Sequence, residues 1–134
     1  MVIGGRDSIY WDSNMAHNPA IQKIGNEYVL FYIGSVFASH QNNSKSLLHR
    51  IGYTTSKKIT GPWIRSDQPV INEESNNLVI LQDGEKIKLI CRNAEPRVFI
   101  AEADHYKGPF AVKNDNVCPE AKIEDFCLFK YNNQ

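Results

Sequence analysis

A short segment near the N-terminus combines residue types that suit a carbohydrate contact. Trp11 and Asp12 are adjacent, and His17-Asn18-Pro19 follows closely. An indole stacks on the apolar face of a sugar ring, and a carboxylate accepts hydrogen bonds from its hydroxyls. The alternative is structural, because Trp11 would equally cap a sheet, and His17 and Asn18 would satisfy the backbone of a turn. The residue types alone leave both interpretations open.

Arg92 is a further candidate contact at the end of a later apolar run. Its guanidinium could donate hydrogen bonds to sugar hydroxyls. An ion pair with Glu95 in the same loop is the alternative explanation.

The residues after His17 predict a β-hairpin. Two short runs, 20–24 and 28–33, are separated by Gly25-Asn26, and the second run is rich in aromatic and β-branched side chains. Gly and Asn tolerate the positive φ that a tight hairpin turn needs. We therefore expect His17 and Asn18 at the opening of the first strand.

The hairpin pattern occurs again further along the chain. Residues 50–56 and 97–103 lie 47 positions apart, as do Gly61-Pro62 and Gly108-Pro109. The step from Asn18 to Asn77 is 59 because the first unit carries 12 extra residues, which we place in a polar loop at 35–49. Asp125 follows Asn77 by 48 positions and marks a third copy.

This period predicts an all-β fold made of β-propeller blades, each with four antiparallel strands. Repeats of about 40 to 50 residues with four short strands are typical of such blades. We assign blade 1 to about 13–72, blade 2 to about 73–118 and the start of blade 3 to about 119–134. The absence of a sustained 3.6-residue apolar period excludes helical solenoids.

Composition narrows the function classes. Fifteen basic residues balance fifteen acidic ones, so the chain lacks the basic excess of nucleic-acid binding and the single-sign patches of membrane binding. No apolar run reaches the roughly 18 residues of a membrane helix. The three cysteines lack metal-type spacing and are predicted to be plain thiols, and we expect neither a metal nor a cofactor. The compartment stays open.

These features together resemble the five-bladed propeller glycosidases. The resemblance is to the superfamily of glycoside hydrolase family 43 (arabinanases, β-xylosidases and α-L-arabinofuranosidases), with relatives in families 32, 62, 68 and 117. The segments that show this resemblance are the hairpin from His17 to Gly34 and the Thr60-Gly61-Pro62-Trp63 segment. The resemblance implies hydrolysis of O-glycosidic bonds in pentose- or hexose-containing oligo- or polysaccharides at the mouth of a central channel. A secreted or periplasmic protein would fit it.

The same resemblance implies catalytic carboxylates on successive inner strands. Residues 123–126 resemble the Glu-Asp-Pro that opens a blade in many relatives, which makes Asp125 the candidate tuning aspartate and Glu124 a second catalytic candidate. Asn18 stands where family 43 members commonly have Asp, and an amide cannot act as a base at neutral pH. Either Asp12 supplies the base, or the protein is a non-catalytic carbohydrate-binding or scaffold propeller. In that second case Trp11, His17, Asn18 and Arg92 would remain as contacts.

The length has a physical consequence for partners. Five blades of roughly 50 residues would need about 250, and a propeller protects its strand edges by closing into a ring. A chain of 134 residues supplies about two blades and part of a third. We expect the remaining blades or self-association to cover the open edges, and weak or absent activity for the chain alone. A fragment of a longer glycosidase, a truncated reading frame and one part of an oligomer all satisfy this expectation.

Overall fold

The structure, a computed structural model, describes residues 6–39, 45–71, 73–93, 97–119, 125–129 and 131. Eight strands make up the regular secondary structure of these residues: β1 (Met15–Ile24), β2 (Glu27–Ser39), β3 (Lys45–Ser56), β4 (Ile64–Arg65), β5 (Asn76–Asp83), β6 (Lys86–Arg92), β7 (Val98–Ala103) and β8 (Ala111–Asn114). They form two four-stranded antiparallel sheets with strand orders β1-β2-β3-β4 and β5-β6-β7-β8. The predicted all-β fold of blade-like sheets is confirmed, and we call the sheets blade 1 and blade 2.

Each blade opens with the predicted hairpin. Ile24 pairs with Glu27 across the first turn, and Asp83 pairs with Lys86 across the second. Gly25 and Gly84 adopt φ of 58° and 62° in these turns. Glycine is suited to both positions because this left-handed region is costly for most side chains.

The two blades also repeat their hydrogen bonds outside the sheets. The Val70 amide donates to the Ile51 carbonyl at 2.7 Å, and the Val117 amide donates to the Val98 carbonyl at 2.8 Å. Donor and acceptor are each displaced by 47 positions, the step read from the sequence. The structural repeat therefore follows the sequence repeat beyond its hairpins.

The outermost strand of each blade follows a Gly-Pro turn. Strand β4 begins at Ile64, after Gly61-Pro62, and β8 begins at Ala111, after Gly108-Pro109. The Gly-Pro pairs use the earlier residues for a turn, in which Gly61 and Gly108 have φ of 90° and 80°. Proline has no N–H to give to a ladder, so each strand forms only after it.

The 12 extra residues of blade 1 extend a hairpin, which corrects the prediction of a polar loop. Strands β2 and β3 continue beyond the level of Met15, the first residue of β1. In this extension Val36 lies opposite Leu48 and Phe37 lies opposite Leu47. The two apolar pairs are adjacent in the strands, and successive residues point to opposite faces, so each face of the extended hairpin has one cross-strand apolar pair. Residues 40–44 lie outside the described part of the chain.

The core lies between the two blades. Alternation along the strands directs Val29, Phe31 and Ile33 to one face of blade 1, and Leu89 and Cys91 to the face of blade 2 that packs on it. All five side chains are fully buried. The hydrophobic contact between sheets therefore fixes how the blades sit side by side.

Aromatic residues from the turn before β8 extend this core. The ring centroids of Tyr106 and Tyr53 are 5.3 Å apart, and those of Phe110 and Phe31 are 6.2 Å apart. The Tyr106 hydroxyl also donates to Glu27 Oε2 at 2.7 Å. Phe110, the aromatic residue after Gly108-Pro109, thus packs between the blades.

Residues 125–129 are described but form no strand ladder with the rest of the described chain. Glu124 lies outside the described residues, and the assignment of 119–134 to a third blade stays a prediction. Among the described residues, no helix is long and apolar enough to cross a membrane.

Candidate functional site

Asn18 and Asn77 occupy the same special backbone position in consecutive blades. The β1–β2 register shifts between His17 and Ala20, and the β5–β6 register shifts between Asn76 and Val79. Asn18 and Asn77 have φ of 49° and 48° inside these bulges. Asparagine tolerates this left-handed conformation better than most side chains, so the residue type matches the local backbone.

Hydrogen bonds connect these two residues to Asp125. Asn18 Nδ2 donates to Asn77 Oδ1 at 3.4 Å, and Asn77 Nδ2 donates to Asp125 Oδ1 at 3.3 Å. We call this row the Asn18–Asn77–Asp125 ladder. It joins the three positions that the repeat makes equivalent, and Asn18 and Asp125 are exposed. The ladder offers amide and carboxylate groups to a polar ligand.

Two histidines continue the polar row within blade 1. His17 Nδ1 lies 3.0 Å from Asn18 Oδ1, and the His17 and His49 rings meet edge to face with centroids 5.7 Å apart. His17 Nε2 and His49 Nδ1 are buried and make no hydrogen bond within the described part of the chain. Burial, with a smaller contribution from His17, lowers the pKa of His49, and Glu74 opposes the shift.

Asp12 has a different environment. It is fully buried, and its carboxylate accepts hydrogen bonds from Arg6 Nε at 2.8 Å, the Tyr32 hydroxyl at 2.7 Å and Arg65 Nη1 at 3.2 Å. Burial, together with the hydrogen bond to Asp12, raises the pKa of Tyr32. A general base must reach a water or substrate proton. The catalytic role of Asp12 stays a prediction, and these surroundings favour a structural one.

Trp11 lies against the face of blade 1 that is opposite to blade 2. Its ring is stacked on Tyr32 with centroids 5.5 Å apart and planes 22° apart. A Cβ added to Gly34 or Gly52 would come within 2.3 or 2.2 Å of the indole. The glycines thus form a seat for Trp11, which favours the interpretation of this residue as a cap.

Arg92 ends β6 and is half-buried. It pairs in register with Asn76, and alternation along β6 puts it on the face opposite to the buried Cys91. That face points away from blade 1. Its Nε is buried without a hydrogen-bond partner among the described residues. Glu95, the alternative ion-pair partner, lies outside the described residues.

The structure therefore divides the predicted site residues into groups. His17, Asn18 and Asp125 come together in one hydrogen-bonded row, whereas Trp11 and Asp12 form a separate cluster on the far face of blade 1. Five residues of these two groups were not predicted from the sequence. They are Asn77 in the middle of the row, His49 beside His17, and the Asp12 partners Arg6, Tyr32 and Arg65. Only Asn77 left a signal, since it occupies the repeat position between Asn18 and Asp125.

Among the described residues, no group of three or more His, Cys, Asp or Glu side chains is placed to hold a metal ion. Cys91, Cys118 and Cys127 are all free thiols, of which Cys91 is buried and Cys118 is half-buried, whereas Cys127 is exposed. Burial raises the pKa of Cys91, which makes a reactive thiolate there unfavourable.

The two adjacent four-stranded antiparallel sheets resemble consecutive blades of a β-propeller. The structure is similar to Zg3597, a family 117 glycoside hydrolase produced by the marine bacterium Zobellia galactanivorans, with a TM-score of 0.68 and 18% sequence identity. The match covers 83% of this chain and 35% of that enzyme. At this identity the likeness shows the shared fold alone, and the chain spans about a third of the length of the enzyme it matches.

A second similarity is weaker. A mutant of the GH43 protein BlXynB from Bacillus licheniformis aligns over 85% of this chain and 34% of its own, with 14% identity and a TM-score of 0.32. No protein-family model matches the sequence, and no curated protein matches it. The resemblance predicted from the sequence is confirmed at the level of the fold by the family 117 structure.

Proposed function

We propose that this chain forms part of a glycoside hydrolase of the propeller type and that the Asn18–Asn77–Asp125 ladder binds its carbohydrate substrate. The observation that carries the proposal is the ladder itself, in which hydrogen bonds join the bulge residues of the two described blades to Asp125. It is set in a fold shared with a family 117 glycoside hydrolase. The substrate class is an oligo- or polysaccharide that contains pentoses or hexoses.

The chemistry of the ladder suits sugar hydroxyls. A hydroxyl both donates and accepts a hydrogen bond, so it is best bound by groups that supply both functions. Asn18 offers an amide, and Asp125 offers a carboxylate that accepts strong, charge-assisted bonds. Asp125 is exposed and can reach a ligand. In the hydrolytic version of the proposal, Asp125 orients the substrate and tunes a neighbouring catalytic acid.

Hydrolysis needs two further carboxyl groups. An inverting glycosidase holds its base and acid about 6.5–9.5 Å apart, so that a water molecule fits beside the anomeric carbon. Asp12 and Glu124 are the candidates from the sequence. The Asp12 carboxylate already accepts hydrogen bonds from two arginines and a tyrosine. We therefore favour a carboxylate from a further blade over Asp12 as the catalytic base.

A non-catalytic carbohydrate-binding or scaffold propeller is the second candidate. The specific observation in its favour is that Asn18, an amide, occupies the blade 1 position at the ladder and makes hydrogen bonds there. Such a protein would keep the sugar contacts of the ladder without a working base. The two candidates predict the same binding site and differ only in turnover.

A combined screen separates them. Release of nitrophenol from a panel of nitrophenyl glycosides would be measured for the wild-type chain, Asp125→Asn and Asp12→Asn, alongside calorimetric binding of arabino- and xylo-oligosaccharides. Turnover that is lost in Asp125→Asn supports the hydrolase. Binding without turnover supports the scaffold. The absence of both, in this chain and in a version joined to further blades, would refute the proposal.

We also propose that a further blade, from this protein or a second copy, covers the outward face of blade 2. The equivalent face of blade 1 is buried by blade 2, and its Val29, Phe31 and Ile33 are fully buried. On blade 2 the corresponding face carries Ile90 and Arg92, which are half-buried. Sedimentation of the chain at increasing concentration tests self-association, and a concentration-independent monomer would favour further blades.

A further inference from the structure

We infer that Asn77 is a positioning residue, which holds one oxygen of the Asp125 carboxylate and turns the other toward the ligand. The inference deepens the proposed function and rests on it for the identity of that ligand, a carbohydrate hydroxyl. Asn77 was not among the residues that the sequence marked as a site. Its role follows from the direction of the hydrogen bonds in the ladder.

The carboxylate sets this direction. An ionised carboxylate can only accept hydrogen bonds, so the Asn77 group that faces Asp125 must be the Nδ2 amide. The Asn77 oxygen then faces Asn18, which must present its own Nδ2. The Asn18 oxygen faces His17, which must donate from Nδ1. All three hydrogen bonds therefore point toward Asp125.

The backbone holds the two amides in place before any ligand binds. Both Asn18 and Asn77 lie in bulges with left-handed φ, next to the regularly paired residues of their strands. A bulge redirects a side chain relative to a regular strand, and such features commonly occur next to active sites. The bulges thus direct the Asn18 and Asn77 side chains toward each other along the ladder, whereas in regular strands successive side chains would point to opposite faces of the sheet.

The consequence for Asp125 is an asymmetric carboxylate. Oδ1 accepts from Asn77 at 3.3 Å, and Oδ2 makes no hydrogen bond within the described part of the chain. The amide fixes the rotation of the carboxylate, so Oδ2 has a defined direction. A sugar hydroxyl that donates to Oδ2 then binds a preorganised acceptor, which lowers the entropy lost on binding.

The first experiment needs no ligand. Side-chain amide signals of Asn77, Asn18 and Asn14 would be assigned by NMR in the uniformly 15N-labelled chain and compared with Asp125→Asn. We expect the Asn77 signal to move most and the Asn18 signal to move less in the same direction. Asn14, which donates to Ser35 in blade 1, is the internal control and should not move. Unchanged Asn77 signals, with backbone dispersion retained, would overturn the inference.

The second experiment measures the positioning effect. Asn77→Gly removes the amide and keeps a backbone that accepts positive φ, so folding is retained. Asn77→Asp keeps the shape but replaces the donor with a negative charge beside Asp125. We expect the affinity for the arabino- or xylo-oligosaccharide that binds best to fall about tenfold in Asn77→Gly, the range of one charge-assisted hydrogen bond, and further in Asn77→Asp.

Combining the two changes distinguishes positioning from direct contact. If Asn77 acts through Asp125, Asn77→Gly should have little further effect in an Asp125→Asn background. Full additivity of the two losses, or unchanged affinity in Asn77→Gly, would contradict the positioning role. NMR shifts as expected, with no oligosaccharide bound by any version of the protein, would refute the proposed function and leave the ladder intact.

Discussion

Asn18 donates a hydrogen bond from Nδ2 to Oδ1 of Asn77, and this 3.4 Å contact joins equivalent positions of two consecutive blades. The two residues lie 59 positions apart in the chain and have nearly the same φ, 49° and 48°. Each blade thus contributes the same bulge, and packing of the blades brings the bulges together. The contact is a direct expression of the repeat.

Asn18 should tolerate glycine better than alanine. Alanine at a left-handed position costs about 1 kcal/mol relative to glycine, because its Cβ clashes with the backbone. We expect Asn18→Ala to lower the free energy of unfolding by at least this amount and Asn18→Gly by less. Urea titration followed by far-UV circular dichroism measures both. Equal effects would show that the bulge relaxes.

Asp12 should be a stability residue. Asp12→Asn removes the buried carboxylate that pairs with both Arg6 and Arg65, and Arg6 keeps only its exposed contact with Asp67. Breaking such a buried group costs about 3 kcal/mol. The unfolding midpoint in urea gives the loss. Asp67→Asn is the matched control, because Asp67 pairs with the same Arg6 at the exposed surface, where an ion pair contributes at most about 1 kcal/mol. Lost activity with unchanged stability would instead support the catalytic role.

Gly34→Ala and Gly52→Ala should each destabilise blade 1. The added methyl would overlap the Trp11 indole, and overpacking of this kind costs about 1–3 kcal/mol. We expect the penalty of Gly52→Ala to shrink when Trp11→Ala is introduced with it, since the smaller side chain leaves room. The penalty of Gly34→Ala should shrink less, because its added methyl would also lie 2.5 Å from the Asp12 Cβ. A double-mutant cycle of unfolding free energies measures this coupling. Additive effects would mean that Trp11 does not occupy the seat.

Stability should fall on mild acidification because of His49. Its pKa is lowered by burial and by His17, so below about pH 6.5 the unfolded chain takes up the proton more readily than the folded one. Stability is then lost as pH drops from the ordinary histidine pKa toward the lowered one. His49→Gln should flatten this dependence in thermal melts between pH 7.5 and 5. His105→Gln, on an exposed turn, should behave like wild type.

The cysteines should react at very different rates. Cys127 is exposed, whereas Cys91 is fully buried and its pKa is raised by burial. We expect iodoacetamide to label Cys127 under native conditions and Cys91 only after unfolding, because the thiolate is the nucleophile. Peptide mass spectrometry at successive times measures both. Rapid native labelling of Cys91 would contradict the packing between the blades.

Several features of the fold could be predicted from local patterns. The hairpin turns need positive φ, which Gly25 and Gly84 provide. Aromatic and β-branched residues mark β2, and alternation of polar and apolar residues marks β6. The 47-residue step predicted the two described four-stranded blades, because each blade is a self-contained run of strands. The continuation of the β2–β3 hairpin at 36–39 was wrongly predicted to be part of a polar loop. The polar residues around 40–46 dominate the pattern there, and the apolar pairs that extend the hairpin are short.

The sequence by itself determined the all-β character, the repeat and the equivalence of positions 18 and 77, since these depend on neighbours within a strand or on the spacing of the repeat. Only the tertiary structure decided that Asp12 is buried, because its partner Arg65 lies 53 positions away in β4. It also decided that Asn77 joins Asn18 to Asp125. Such contacts arise when sheets pack, and no local pattern encodes which side chains will then meet.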